Sequence, residues 1–149
     1  MKKKSDKAYG VALYKIENKK IKILLCKSVK SKDRWGFLKG VMQTGETPAQ
    51  CAKREFFEES SISVDISLFE EYFEQKNSEK DISVWLANAK NIKGLDKYFT
   101  EDRLLDKYLS WENSKVKFFT LNELPEIKKK QKILIYKIKD FLKNKNQFH

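Results

Sequence analysis

Apolar positions cluster early in the chain in two runs, Ala8 to Ile16 and Ile21 to Cys26, separated by the polar stretch Glu17-Asn18-Lys19-Lys20. Two short apolar runs around a polar break predict a hairpin of β-strands. Farther on, Ile62 to Phe73 and Ile82 to Ala89 alternate or cluster apolar residues in strand fashion, and Lys115 to Thr120 reads as another short strand. Leu95 to Leu109 has no clean period and is expected to be partly helical. From Glu123 to about Lys143 the period becomes helical: Leu134, Ile138, Phe141 and Leu142 share one stripe, and Pro125 fits only in the first turn.

One internal helix is specified by local chemistry. Thr47 is placed as an N-cap, Pro48 occupies the first helical position, and Gln50 stands where a capping box takes Glu or Gln. Ala49, Ala52 and Phe56 follow at i, i+3 and i+7 and predict a core-facing side, with the helix running to Glu59 or Ser60. Just before it, Gly36, Gly40 and Gly45 fall close together in a chain with only five glycines, which marks a loop needing close backbone approach or positive φ.

With 149 residues, 40% of them hydrophobic and 36% charged, the chain is sized for a single domain spanning 1–149 with an ordinary core and a heavily charged surface. A basic, disordered start is expected over residues 1–7. The net charge of +11 favours polyanionic ligands such as nucleotides or RNA, although a lysine-rich background of solvated faces produces the same excess. Cys26 and Cys51 form no ligand pattern and the lone histidine is His149, which argues against a zinc site and a histidine base. No apolar run approaches the roughly 20 residues of a membrane span, so no membrane partner is expected and the chain reads as cytoplasmic. Oligomeric state is not legible.

Candidate chemistry lies on the Thr47 helix. Glu55, Glu58 and Glu59 stand at i, i+3 and i+4, so three carboxylates project from one face within about a turn, and like charges so placed repel. Arg54 compensates part of that charge. A divalent cation with oxygen ligands would neutralise the rest. Alone, the string reads equally as a solvated acidic helix face. Its register changes that: Gly40, five residues, Glu46, seven residues, then Arg54-Glu55-Phe56-Phe57-Glu58-Glu59-Ser60-Ser61-Ile62.

This pattern resembles the Nudix box: Gly, five residues, Glu, seven residues, Arg-Glu, an aliphatic or aromatic residue, any residue, Glu-Glu, any residue, Gly, and an aliphatic residue. Every charged position is kept. Ser61 replaces the second glycine, and Leu38 stands where several subfamilies carry proline. The resemblance implies an α/β fold, a Nudix-type α/β/α sandwich with a mixed sheet between helices, and a hydrolase of phosphoanhydride bonds. Glu55, Glu58 and Glu59 would bind Mg2+ or Mn2+, joined by the Gly40 carbonyl. Glu46 and Arg54 would pair and orient the ligands. The general base would be Glu55 or Glu112, which lies in Trp111-Glu112-Asn113 before the last strand and could also be a ligand; Glu101 is a weaker competitor.

On the substrate side, Lys32, Arg34 and Lys39 are candidates for holding phosphates, and Trp35 and Tyr72 for contacting the ligand, among aromatics that include Phe37, Phe73, Trp85 and Trp111. No proline lies between Pro48 and Pro125, so the post-box proline of ADP-ribose-cleaving relatives is missing. The Trp-Gly-Phe-x-Lys-Gly segment leans towards dinucleoside polyphosphates or an RNA 5′ end. Three functions follow: a pyrophosphohydrolase of nucleoside or dinucleoside polyphosphates, an RNA 5′-end pyrophosphohydrolase, and a non-catalytic nucleotide or RNA sensor.

Overall fold

The chain first reverses at Asn18 and Lys19, whose φ of 52° and 66° make the left-handed two-residue turn that matches the twist of a hairpin. This joins β1 (Ala8–Glu17) to β2 (Lys20–Ser28), as the apolar runs predict. These coordinates come from a computed structural model that describes residues 7–31 and 33–146. The expected disordered start therefore lies, but for Lys7, outside the described residues, as does Lys32.

The remaining strands are β3 (Leu38–Val41), β4 (Tyr72–Gln75), β5 (Ile82–Asn88), β6 (Phe99–Thr100), β7 (Arg103–Leu104) and β8 (Asn113–Thr120). They form one mixed sheet in the order β4-β5-β1-β2-β8-β7-β6, with β3 beside the first half of β1. Only β1 and β5 run parallel; the other pairings are antiparallel. A parallel pair needs a crossover, and here that connection contains α1 (Pro48–Ser60), which packs on β1 and β3. The second helix, α2 (Lys132–Asn146), covers the other face.

Strand alternation divides the core between the two faces. Val11, Leu13, Leu24 and Leu38 bury with Ala52 and Phe56 of α1, while Ala12, Tyr14, Ile23, Leu25, Val84 and Leu86 bury with Leu134, Ile138 and Leu142 of α2. Because β1 is covered on both faces, it reads as a continuous apolar run and not as alternation. The result is the expected α/β/α sandwich.

Two elements differ from the sequence reading, and the partly helical stretch Leu95 to Leu109 is refined. Ile62 to Phe73 is not one strand: Asp65 accepts a hydrogen bond from the Ser67 amide at 2.9 Å and caps a 3-10 turn over Ile66–Leu68, so bonding to β5 begins only at Glu70 and Glu71, which meet Leu86, and the regular ladder at Tyr72. Leu95 to Leu109 resolves into two 3-10 turns flanking the β6–β7 hairpin. The closing helix starts at Lys132, because the chain around Pro125 and Ile127 runs extended to bridge Trp35 and turns through Lys129–Gln131 first.

The capping box at the start of α1 is complete: Thr47 Oγ1 accepts from the Gln50 amide at 3.2 Å, and Gln50 Oε1 accepts from the Thr47 amide at 2.9 Å. At the other end Ser61 takes φ 66°, the left-handed conformation for which the box has glycine, and its amide donates to the Phe57 carbonyl at 2.7 Å. Its hydroxyl donates to the Tyr108 carbonyl at 3.2 Å. A net hydrogen bond contributes about 1 kcal/mol, which offsets the similar cost of a side chain in that conformation. Thermal unfolding should therefore find Ser61→Gly close to neutral and Ser61→Ala destabilised by about 1 kcal/mol; equal stability of the two variants would contradict the compensation.

Candidate active site

Two elements meet at the site because β3 runs directly into the loop that precedes α1. Gly40 lies on the α1-facing side of β3, opposite Tyr9, and a methyl group there would fall on the Glu55 carboxylate. Its need for glycine is thus one of space. The Gly40 carbonyl accepts from Cys51 Sγ at 3.4 Å, so strand and helix are tied on this side.

Arg54 organises the loop and the helix together. Its guanidinium donates through Nε and, at 3.0 Å, through Nη2 to Glu46, and reaches the Val41 carbonyl at 3.1 Å. Nη1 lies 3.1 Å from Glu58 Oε2 and 3.2 Å from Glu55 Oε2. Glu46 also accepts from the Gln43 amide at 2.9 Å, and the Arg54 hydrogen bonds hold its carboxyl below the usual range. The Glu46–Arg54 pair that the resemblance implies is therefore present, and it braces the loop against the carboxylate face.

Of the three helix carboxylates, Glu58 is the open one, with 52% of its side chain exposed. Glu55 and Glu59 point inward. Burial raises the Glu55 carboxyl above its ordinary value, with Glu58 and Glu112 adding to the rise and Arg54 opposing it. Burial pushes Glu59 up to about 7, with Glu55 and Glu112 adding and with Asn113 and Lys39 opposing. Asn113 donates to Glu59 Oε1 at 3.3 Å, and Cys26 Sγ lies 3.8 Å from the same oxygen.

Glu112 adds to the negative charge felt by Glu55 and Glu59 from the turn before β8. Residues 110 to 113 make a turn in which the Asn113 amide donates to the Ser110 carbonyl at 3.2 Å, and the Val29 amide donates to the Glu112 carbonyl at 2.9 Å. Pairing of Ser28 with Asn113 sets that turn beside α1. Glu101 instead sits in the β6–β7 turn beside Asp102, which binds Lys15 and Lys22 near the hairpin end of β1. It belongs to a different part of the molecule.

A divalent cation is the group these residues suit. The helix face offers carboxylate oxygens from Glu55, Glu58 and Glu59, of which Glu55 and Glu59 are half-buried and mutually repelling, and Arg54 and Lys39 offset only part of the charge. As the side chains stand, no three His, Cys, Asp or Glu among the described residues are close enough to share one ion. Magnesium keeps several waters and takes one or two carboxylates, so the donor set fits without a dedicated cage.

The raised Glu59 has a testable consequence. In the unfolded chain a glutamate titrates near about 4.3, whereas in the fold this one does so at about 7. Between those values the folded state holds the extra proton, so the contribution of Glu59 to stability is present at low pH and is lost as pH rises through the window. In chelator, the Tm of Glu59→Gln relative to the parent should therefore rise from about pH 5 to about pH 8. A pH-independent difference would mean that burial does not perturb this carboxyl.

The substrate-side candidates separate. Lys39 alternates with Leu38 and Gly40 and so leaves β3 towards the other sheet face, yet its charge acts on Glu59. Burial lowers its ammonium pKa, and the charges of Lys128 and Lys80 reinforce the effect. Arg34 is exposed just ahead of this segment. Trp35 is only 9% exposed and packs edge-on against Phe119 at 4.7 Å, which commits to the core a ring expected to meet ligand. Tyr72 is half-exposed on β4, but its ring lies against Trp85 at 4.8 Å, and β5 and β1 stand between it and β3. Neither aromatic is brought to the carboxylates. Asn113, Lys80 and Lys128 have no distinguishing signal in the sequence.

A mixed sheet between two helices, with a glycine-cleared carboxylate helix braced by Arg54, defines an α/β hydrolase of phosphoanhydride bonds. The chain matches the NUDIX domain over residues 6–140 and belongs to the Nudix family. Comparison with curated proteins gives no match. Among solved structures it is similar to a Caenorhabditis elegans Ap4A hydrolase binary complex, at 22% identity and TM-score 0.62 over 93% of this chain and 98% of that one. It is similar as well to the Nudix hydrolase RenU of M. smegmatis, at 11% identity and TM-score 0.71 over 96% and 89% of the two chains. A UDP-X diphosphatase matches at 18% identity and TM-score 0.59, over 91% of this chain and 62% of the other.

Proposed function

We propose that this Nudix hydrolase cleaves a diphosphate linkage in a nucleoside or dinucleoside polyphosphate, with magnesium, or manganese in its place, held by Glu55, Glu58 and Glu59. The observation that carries the reading is the hydrogen bond from Asn113, at the start of β8, to Glu59 at 3.3 Å, which brings the turn holding Glu112 beside the half-buried Glu55 and Glu59 of α1. A carboxylate from a distant segment added to an already repelling cluster makes sense where cationic charge is to be bound. The bound ion would neutralise phosphate oxygens and lower the pKa of an attacking water.

The chain's own residues have distinct parts in this. Arg54 and Glu46 fix the loop so that Glu55 and Glu58 keep their orientation. Asn113 holds Glu59 by one oxygen and leaves the other free for a ligand. Of the two candidates for the general base, exposure and freedom from the Arg54 clamp favour Glu112, whereas Glu55 is pressed between Gly40 and Arg54. Lys39, on the opposite sheet face, acts on Glu59 through its charge.

Likeness to an Ap4A hydrolase adds weight to dinucleoside polyphosphates. The net charge of +11 favours a second reading, an RNA 5′ end, with the lysines after Ile127 as an electrostatic track. Retention of every charged box position weighs against a silent sensor. Product analysis with magnesium on nucleoside triphosphates, diadenosine tetraphosphate, ADP-ribose and triphosphorylated RNA tests the proposal. Turnover of the tetraphosphate or a triphosphate is expected. Turnover of RNA alone, lost steeply with salt, would favour the second reading, and no turnover across the panel would overturn both.

A further inference from the structure

Trp111 is 84% exposed, more than any other large hydrophobic side chain among the described residues. The other two tryptophans have rings already committed: Trp35 packs against Phe119, and Trp85 lies against Tyr9, Phe69 and Tyr72. An indole left in water forgoes one of the largest burial gains a side chain offers. Its position is also held. The turn carrying it is closed by the Asn113 amide on the Ser110 carbonyl at 3.2 Å and clamped by the Val29 amide on the Glu112 carbonyl at 2.9 Å.

That turn is the one that delivers the site's outlying groups. Asn113, two residues after Trp111, donates to Glu59 at 3.3 Å. Adjacent Cα atoms are about 3.8 Å apart, so the backbone of Trp111 lies within about 7 Å of the residue that touches the carboxylate cluster. A depression lined by Lys27, Ser28, Val29, Ser31, Asp33 and Ser114 borders the same turn, with Lys27 3.8 Å from Asp33, and Val29 beside it is itself 59% exposed. An aromatic face close to the carboxylate helix, with hydroxyl groups alongside, matches the chemistry of a nucleotide: a flat base joined to anionic groups.

We propose that Trp111 is the stacking platform for the nucleobase of the substrate, seated while its phosphates lie against the α1 carboxylates. This rests on the reading that the substrate is a nucleotide. Stacking is tolerant of base identity, because every base has a π-face, so Trp111 would confer preference for nucleotides over unsubstituted polyphosphates without choosing among bases.

The test uses the full chain and two probes that contain no anhydride to cleave: AMP, which carries a base, and ribose 5-phosphate, which does not. AMP should quench tryptophan emission and ribose 5-phosphate should not, and Trp111→Phe should abolish the quenching. Calorimetry should find AMP weakened about tenfold in Trp111→Ala and far less in Trp111→Phe, which keeps an aromatic face. Ribose 5-phosphate should bind all three proteins alike. Absence of AMP quenching in the parent chain, or equal AMP affinity in Trp111→Ala, would overturn the proposal. Quenching without hydrolysis of any nucleotide would sink the hydrolase assignment and leave the stacking role standing. Hydrolysis with an unchanged KM in Trp111→Ala would do the reverse.

Discussion

Glu58→Gln should lower turnover at least about a hundredfold, since even the partners that merely orient metal ligands cost about 10- to 100-fold when removed. The amide keeps the shape of the side chain but removes the charge offered to a cation. The fold should hardly notice. Glu58 is the exposed member of the triad, and its ion pair with Arg54 at 3.1 Å is a half-exposed i,i+4 contact. Such pairs contribute about 0.5 kcal/mol or less, so Tm should fall by no more than about 2 °C. Steady-state kinetics beside a thermal melt checks both halves. Retained turnover would remove Glu58 from the site, and a collapsed melt would show that its role is structural.

Gly40→Ala should be nearly as damaging to activity by a different route. The added methyl would occupy the space of the Glu55 carboxylate, with no backbone or core atom among its nearest neighbours. The flexible end of Glu55 can swing aside, so the chain should fold with Tm little changed. The carboxylate would then leave its position between β3 and Arg54, and kcat should drop by about tenfold to a hundredfold, the range seen when ligand orientation is lost. A second substitution, Glu55→Ala, added to Gly40→Ala should cost little more, because both act through one carboxylate. Independent, multiplying losses would contradict this.

The parts legible in the sequence are those written in local spacing. Thr47, Pro48 and Gln50 specify the start of α1 within a few residues, and Glu55, Glu58 and Glu59 reach one face by helical geometry alone. The Glu46–Arg54 pair followed from the resemblance to the Nudix box. What stayed hidden depends on long-range pairing. The hydrogen bond from Asn113 to Glu59 is set by the β2–β8 ladder, which joins segments that meet only in the folded chain. Trp35 looked available because its ties to Ile127 and Phe119 leave no mark in its own neighbourhood. Trp111 looked no different from the other aromatics, since exposure is a property of the whole fold. The strand expected over Ile62 to Phe73 failed because a short polar side chain, Asp65, captured a backbone amide that a ladder would have used.

The central claim is that the α1 carboxylates hold a divalent cation, and manganese titration followed by electron paramagnetic resonance addresses it without any assumption about substrate. At about pH 7.5 the parent chain should bind Mn2+, magnesium should compete for the same site, and Glu58→Gln and Glu59→Gln should each weaken binding at least about tenfold. Manganese binding of equal strength in the parent and both variants would contradict the account.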